Sequence, residues 1–212
     1  MRIPKLSCAF FLAAFILLVC NSRSSAQSFD AGLIAGLSTT QISGDQLSGF
    51  NKVGIIAGGF VSTFISEKFD GNMQLMYIQK GSRKNADPEK NDYTSYLLRL
   101  SYIEVPLLLQ WKYSNRFIFE AGPYFGVLLS SYEENEIGEL PDRRAFNDLE
   151  FGGSVGMNIV LVNNLIFNAR LSTSFIPVRD HQSGQTFRLN AGQYNSVLAF
   201  TVQYKFGKNT GN

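Results

Sequence analysis

The amino-acid sequence predicts an all-β protein: an eight-stranded antiparallel up-and-down transmembrane β-barrel. Three observations carry that prediction. Apolar and polar side chains alternate with a period of two through eight segments, as they do on strands, where successive residues point to opposite faces. The connections between those segments are alternately short and long. No stretch of the chain reaches the roughly 20 apolar residues of a spanning helix, so any crossing of a bilayer is by strands.

The N-terminus fixes the compartment. Arg2 and Lys5 precede an apolar run over residues 6–20, and Ser24, Ser25 and Ala26 supply the small residues of a cleavage site. This reads as a signal peptide, residues 1–26, removed after Ala26 to leave a barrel domain of residues 27–212. A retained anchor and a lipidated Cys20 are the alternatives, but Val19 stands where a lipoprotein signal has a small residue. Cleavage removes Cys8 and Cys20, the chain's 2 cysteines, and with them any thiol chemistry. It also removes three of the 19 basic residues, leaving 16 against 17 acidic ones, a net charge of −1 that gives no reason to expect nucleic acid.

The strands follow in order. The first, residues 29–39, puts Phe29, Ala31, Leu33, Ala35 and Leu37 on one face. The second, 53–64, has Ile55, Ala57 and Val61 on one face, with Ile56 and Phe60 blurring it. The third, 69–80, sets Phe69, Met73, Leu75 and Tyr77 against Asp70, Asn72, Gln74 and Lys80. The fourth and fifth, within 97–112 and 117–130, form a hairpin across Ser114, Asn115 and Arg116. The sixth, 150–161, the seventh, 165–175, and the eighth, 195–206, repeat the pattern, with Gly152, Ser154, Asn158, Arg170, Thr201 and Gln203 on the polar side. Turns 65–68, 114–116 and 162–164 are tight. Loops 40–52, 81–96, 131–149 and 176–194 are long and polar, so the former face the periplasm and the latter the exterior.

Alternation alone does not say which face is inside. If the polar face met lipid, Glu104, Glu120, Arg170 and Lys205 would sit in hydrocarbon, at roughly 2–4 kcal/mol for each base near the midplane. Aromatic residues near strand ends on the apolar face (Phe69, Tyr77, Trp111, Phe117, Phe175, Tyr204, Phe206) read as interfacial girdles. The polar face therefore lines the lumen. There Gly32 and Gly36, Gly122 and Gly126, and Gly152 and Gly156 leave room for Tyr102, Glu104 and Tyr124. The lumen is expected to be plugged. Asp30, Asp70, Lys112, Glu120, Arg170 and Lys205 are expected in its periplasmic half as a salt-bridged network. Pro106 interrupts a strand that a closed barrel cannot leave at an edge, which predicts a bulge over residues 104–106. The parity break at Leu97, Leu98, Arg99 and Leu100 suggests a strand rising above the membrane.

Residues for chemistry are few. His181 is the only histidine. With Ser183 it resembles the His-x-Ser pair of outer-membrane lipid A deacylases, but no acid follows Asp180 to orient it. The carboxylates Glu133, Glu134, Glu136, Glu139 and Asp142 match no ion-loop spacing. No catalytic, cofactor-binding or metal-binding residues are expected.

Gly32-x-x-x-Gly36, the run from Tyr77 to Gly81, the run from Tyr102 to Leu109 and Gly122-Pro123-Tyr124-x-Gly126 together resemble the PorT-type outer-membrane β-barrel family over nearly the whole mature chain. The resemblance implies a small integral outer-membrane barrel and, through its namesake, a link to type IX protein secretion. Tyr204-x-Phe206 resembles the terminal signal read by the barrel-insertion machinery, although six residues follow it. The function expected is structural or binding, in secretion or surface assembly. The partners would be outer-membrane lipid, the insertion machinery and proteins met through the external loops. Two alternatives stay open: a lipid-modifying outer-membrane enzyme, and a secreted soluble lipocalin-like barrel with the greasy face around a ligand.

Overall fold

The computed structural model describes residues 29–44, 49–140, 145–180 and 192–206. The strands are β1 (Phe29–Ser43), β2 (Lys52–Ser66), β3 (Phe69–Lys84), β4 (Tyr96–Lys112), β5 (Phe117–Asn135), β6 (Gly138–Glu139), β7 (Leu149–Val162), β8 (Leu165–Ser174) and β9 (Tyr194–Phe206). Eight of them close a barrel. Each pairs antiparallel with its sequence neighbour, β5 pairs with β7, and β1 pairs with β9 from Ala31↔Phe206 to Ser43↔Tyr194. The short β6 only folds back on the end of β5. The signal-peptide region, with its cleavage site and both cysteines, lies outside the described residues.

The faces are oriented as the charge argument requires. Leu33 is 56% exposed, Leu75 60% and Val155 57%, whereas Gln203 and Asn158 on the opposite parity are 1% exposed. An even band of exposed leucine, valine and phenylalanine in a closed barrel is a lipid-facing belt. This overturns the soluble alternative, whose greasy face would have to line the interior.

Aromatic contacts mark the belt's borders. Trp111, Tyr113 and Phe119 cluster at one end with centroids 5.7–6.1 Å apart, and Tyr204 packs on Phe206 nearby. Toward the other end Phe125, Phe151 and Phe175 form a chain at 5.0 and 5.7 Å.

Three expectations are corrected. The strands are longer than the sequence suggested: β1 continues to Ser43, β3 to Lys84 and β5 to Asn135, all on the side of the long loops. Loops 81–96 and 131–149 are therefore partly ladder, paired through Lys84↔Tyr96 and Tyr96↔Asn135, because polar residues there can pair as well as apolar ones. No bulge forms over 104–106. The β3–β4 register is the same at Met73↔Leu107 and Met76↔Glu104, on either side of Pro106, which removes rungs without shifting the ladder. The register shift lies higher, where Tyr102 faces Leu128 and Ser101 faces Ser130, leaving Leu129 as the extra residue of β5. That bulge reverses the parity of β5 and turns Glu133 toward the barrel mouth.

The lumen is also less polar than expected. Ile34, Ile56, Phe60, Met76, Ile78, Leu98 and Leu100 are buried inside it with Val197 and Ala199. An eight-stranded barrel is barely wide enough for its own side chains. Hydrocarbon fills it from β1, β2, β3, β4 and β9, and the charged groups gather towards β5, β7 and β8, with Lys80 and Glu104 reaching them from β3 and β4.

Candidate functional site in the lumen and at its extracellular mouth

The polar wall holds two groups of buried charge. In the first, the Glu120 carboxylate is an acceptor for four side chains. Gln110 and Asn158 donate to Oε2 at 3.1 and 2.7 Å, and Asn168 and Arg170 donate to Oε1 at 2.8 Å each. Arg170 also donates to Gln74 Oε1 at 2.9 Å, and Asn168 to Asn158 at 2.8 Å. Glu120 and Arg170 are 3% and 5% exposed, so one positive and one negative charge are both desolvated and cross-braced by amides.

The second group lies nearer the exterior. The Lys80 ammonium contacts Glu104 and, at 2.9 Å, Glu150. It also sits over the rings of Tyr102 and Tyr124, 5.0 and 4.8 Å from their centroids. Glu150 accepts from the Tyr124 hydroxyl at 2.7 Å and from Asn195 at 2.9 Å. Gly126 makes the space: a Cβ there would stand 3.4–3.5 Å from Glu104, Glu150 and Tyr102. Gly152 does the same for Tyr124, whose ring atoms would lie 2.5 Å from its Cβ. Gly126 and Gly152 are thus the space this cluster fills, whereas a Cβ at Gly32, Gly36 or Gly122 would meet Phe60, Thr201 or neighbouring backbone instead.

Of the six charges expected together, each has a partner within the set. Asp30 pairs with Lys205, Asp70 with Lys112 at 2.7 Å, and Glu120 with Arg170 at 2.7 Å. They form three separate pairs, not one network. Glu120 and Arg170 lie deep in the lumen, while the other two pairs hold the half-exposed periplasmic rim. Glu150 was not singled out by the sequence reading. Its signal was its parity with Gly152, Ser154 and Asn158. An internal void of about 10 Å³ between Glu104 and Arg170, lined also by Ile56, Met76, Ser154 and Thr201, has room for about one water molecule.

At the mouth, Arg179 donates to Glu133 at 2.8 Å and lies over the Phe146 ring at 4.4 Å. Tyr96 donates to the same Glu133 at 2.7 Å. Val178 and Phe146 are buried beneath the loops, and Asn147 N donates to the Val178 carbonyl at 2.8 Å. The loops after β5 and β8 are therefore joined over the mouth. Glu133, which the sequence places in the long polar loop 131–149, is a largely buried member of this closure. Glu134 accepts from Tyr132 outside it. His181, Ser183 and Asp142 lie outside the described residues. Among those described, no three His, Cys, Asp or Glu side chains are grouped as a metal would need.

A closed barrel with an apolar belt, girdles and a filled lumen defines an integral transmembrane β-barrel. The chain belongs to the outer membrane protein beta-barrel domain family, whose model matches residues 23–180, and it is an integral protein of the outer membrane. No curated protein matches it. Among solved structures, Neisserial surface protein A is similar with a TM-score of 0.54 and 12% identity, over 86% of this chain and 100% of that one. OprG of Pseudomonas aeruginosa is similar with a TM-score of 0.46 and 13% identity, over 86% and 98%. Ail, the attachment invasion locus protein of Yersinia pestis, solved in complex with the heparin analogue sucrose octasulfate, gives 0.48 and 8%, over 84% and 99%. At 12% identity the likeness to Neisserial surface protein A is one of fold.

Proposed function

We propose that this protein is a non-conducting outer-membrane platform, PorT-type in character, that serves type IX secretion or surface assembly by binding proteins through its external loops, without catalysis. The observation that carries the reading is the filled lumen. Side chains that neutralise and hydrogen-bond one another across the barrel leave no path for solute, so the surfaces available for recognition are those above the membrane. The raised ends of β3, β4 and β5, with the β6 turn, present Tyr93 and Ile137, 68% and 89% exposed, away from lipid. The motif from Tyr102 to Leu109 supports the PorT-type assignment. Removal of the signal peptide after Ala26 and delivery to the insertion machinery belong to the same reading.

The test combines conductance with site-specific crosslinking in native membranes. Reconstituted protein should pass no steady current. A photo-crosslinker at Ile137 or Tyr93 should give discrete protein adducts, and one at lipid-facing Leu33 should not. Stable single-channel currents, or the same adducts from all three sites, would refute the proposal.

A further inference from the structure

The lipid-facing belt is not even. On β3 its outward residues run Phe69, Gly71, Met73 and Leu75, so one position near the periplasmic end is bare. Gly71 pairs with Thr63 on β2 and Leu109 on β4, and Thr63 pairs in turn with Phe29 on β1. The next outward rung carries Val61, Met73 and Leu107. A bare position among long side chains leaves a hollow, which here measures about 480 Å³. Phe29 and Ile65 border it towards the periplasm, Val61 and Met73 towards the midplane, and Leu107 and Leu109 along one flank.

Its surroundings and its depth together say what fills it. All six bordering side chains are exposed on the belt, so the hollow opens sideways into hydrocarbon. It is continuous with a surface whose partner is already lipid. Gly71 and Met73 lie two and four residues above Phe69, and Leu109 and Leu107 two and four above Trp111. At about 3.3 Å per residue and a tilt of about 40°, those are roughly 5 and 10 Å above the lower girdle. In a belt about 25 Å tall this is the periplasmic leaflet.

An empty hollow at that depth would forfeit dispersion contacts along its whole lining. A lipid tail is as apolar as leucine, so shape and packing set its hold on such a wall. A flexible acyl chain can follow an irregular hollow where a rigid partner cannot. The floor also tolerates filling from within. A Cβ on Gly71 would meet Ile65 Cδ1 at 3.3 Å and Thr63 Cγ2 at 3.5 Å, side-chain tips that can give way.

We propose that this hollow is a fixed site for one acyl chain of a periplasmic-leaflet phospholipid, retained while the surrounding lipid exchanges. The site lies far below the loops and is independent of any protein partner.

The test uses the whole protein refolded into phosphatidylethanolamine vesicles containing a phospholipid with a diazirine on one acyl chain. After illumination, adducts mapped by mass spectrometry should fall on Val61, Met73 and Leu107 at least about fivefold more often than on Ala169 and Val202. Those two stand four residues from the periplasmic ends of β8 and β9, on the opposite wall. Gly71→Leu fills the hollow and should abolish the excess, while Ala169→Leu should leave it in place. The excess should survive raised NaCl, because the hold is on the chain and not on a charged headgroup. A boiling shift on a denaturing gel confirms the barrel in each case. Even labelling of the two walls would overturn the proposal, since it describes an ordinary shell of exchanging lipid. So would loss of the excess in high salt, which would mean a headgroup site. A dimer that Gly71→Leu dissociates would put a second copy in the hollow and overturn it equally. Should Gly71→Leu not fold, the wild-type map and its salt series decide the matter alone.

Discussion

Replacing Glu120 by Gln keeps the shape of the side chain and removes its charge from the middle of the lumen. The carboxylate accepts on both oxygens: Oε2 serves Gln110 and Asn158, and Oε1 serves Asn168 and Arg170. A glutamine amide has one oxygen and one donor nitrogen, so in either orientation two of these donors face a donor. Arg170 is left with neutral acceptors only, Gln74 among them. Leaving one partner of a buried pair uncompensated costs about 3–5 kcal/mol, which shifts the unfolding equilibrium by about 10² to 10³·⁵. The assay is reversible guanidinium unfolding in lipid vesicles, followed by the fluorescence of Trp111, the single tryptophan, which leaves the lipid border as the barrel opens. Substituting both charges, Glu120→Leu with Arg170→Met, should cost less than the two single changes added together, because Asn158 and Asn168 still bond each other and no charge is stranded. A loss below about 0.5 kcal/mol for Glu120→Gln would mean that water screens the pair, and the plugged lumen would have to be abandoned.

Other changes probe the wall, the loops and the absence of catalysis. Gly152→Ala drives a methyl against the Tyr124 ring and the Thr173 carbonyl, 2.5 and 2.3 Å away, and should cost about 1–3 kcal/mol in the same unfolding assay. Gly59→Ala, which meets only the Gly32 carbonyl at 3.3 Å, should cost less. In the β3–β4 loop, hydrogen bonds from Lys84 and then Thr94 hold the Asp92 carboxyl below the usual carboxylate range. A depressed folded value contributes order above the ordinary carboxylate pKa of about 3.9, and that order is lost as pH falls through the folded value. Protection of the Thr94 amide, which donates to Asp92 Oδ1, should accordingly fall in strong acid relative to its intrinsic exchange rate, and Asp92→Asn should lack that fall. His181→Ala should leave the acylation pattern of lipid A unchanged in cells expressing the protein, as read by mass spectrometry. Loss of a deacylated species would restore the enzymatic alternative.

The legible part of the site was its set of local parities. Asp30, Asp70, Lys112, Glu120, Arg170 and Lys205 are all where alternation puts them, because a strand allows a side chain only two directions. Their partners were not legible. Glu120 and Arg170 are 50 residues apart in sequence, and only the β5–β7 and β7–β8 registers set them on adjacent walls. Glu150 looked like the first residue of a strand. It became a buried ligand for Lys80 when closure brought β3 across from β7.

The sequence by itself determined the class of fold, the inside and outside of the wall, and the outer-membrane destination, because each follows from period, turn length and the cost of charge in hydrocarbon. Tertiary structure decided what the period cannot encode. Ile34, Ile56, Phe60 and Leu98 share a parity with Glu104 and Arg170, so alternation alone assigns them all to one polar lumen. Closing eight strands into so narrow a cylinder separates them into a hydrocarbon wall and a charged wall. Neighbours around the circumference come from distant segments, and each buried charge needs a partner within hydrogen-bond reach.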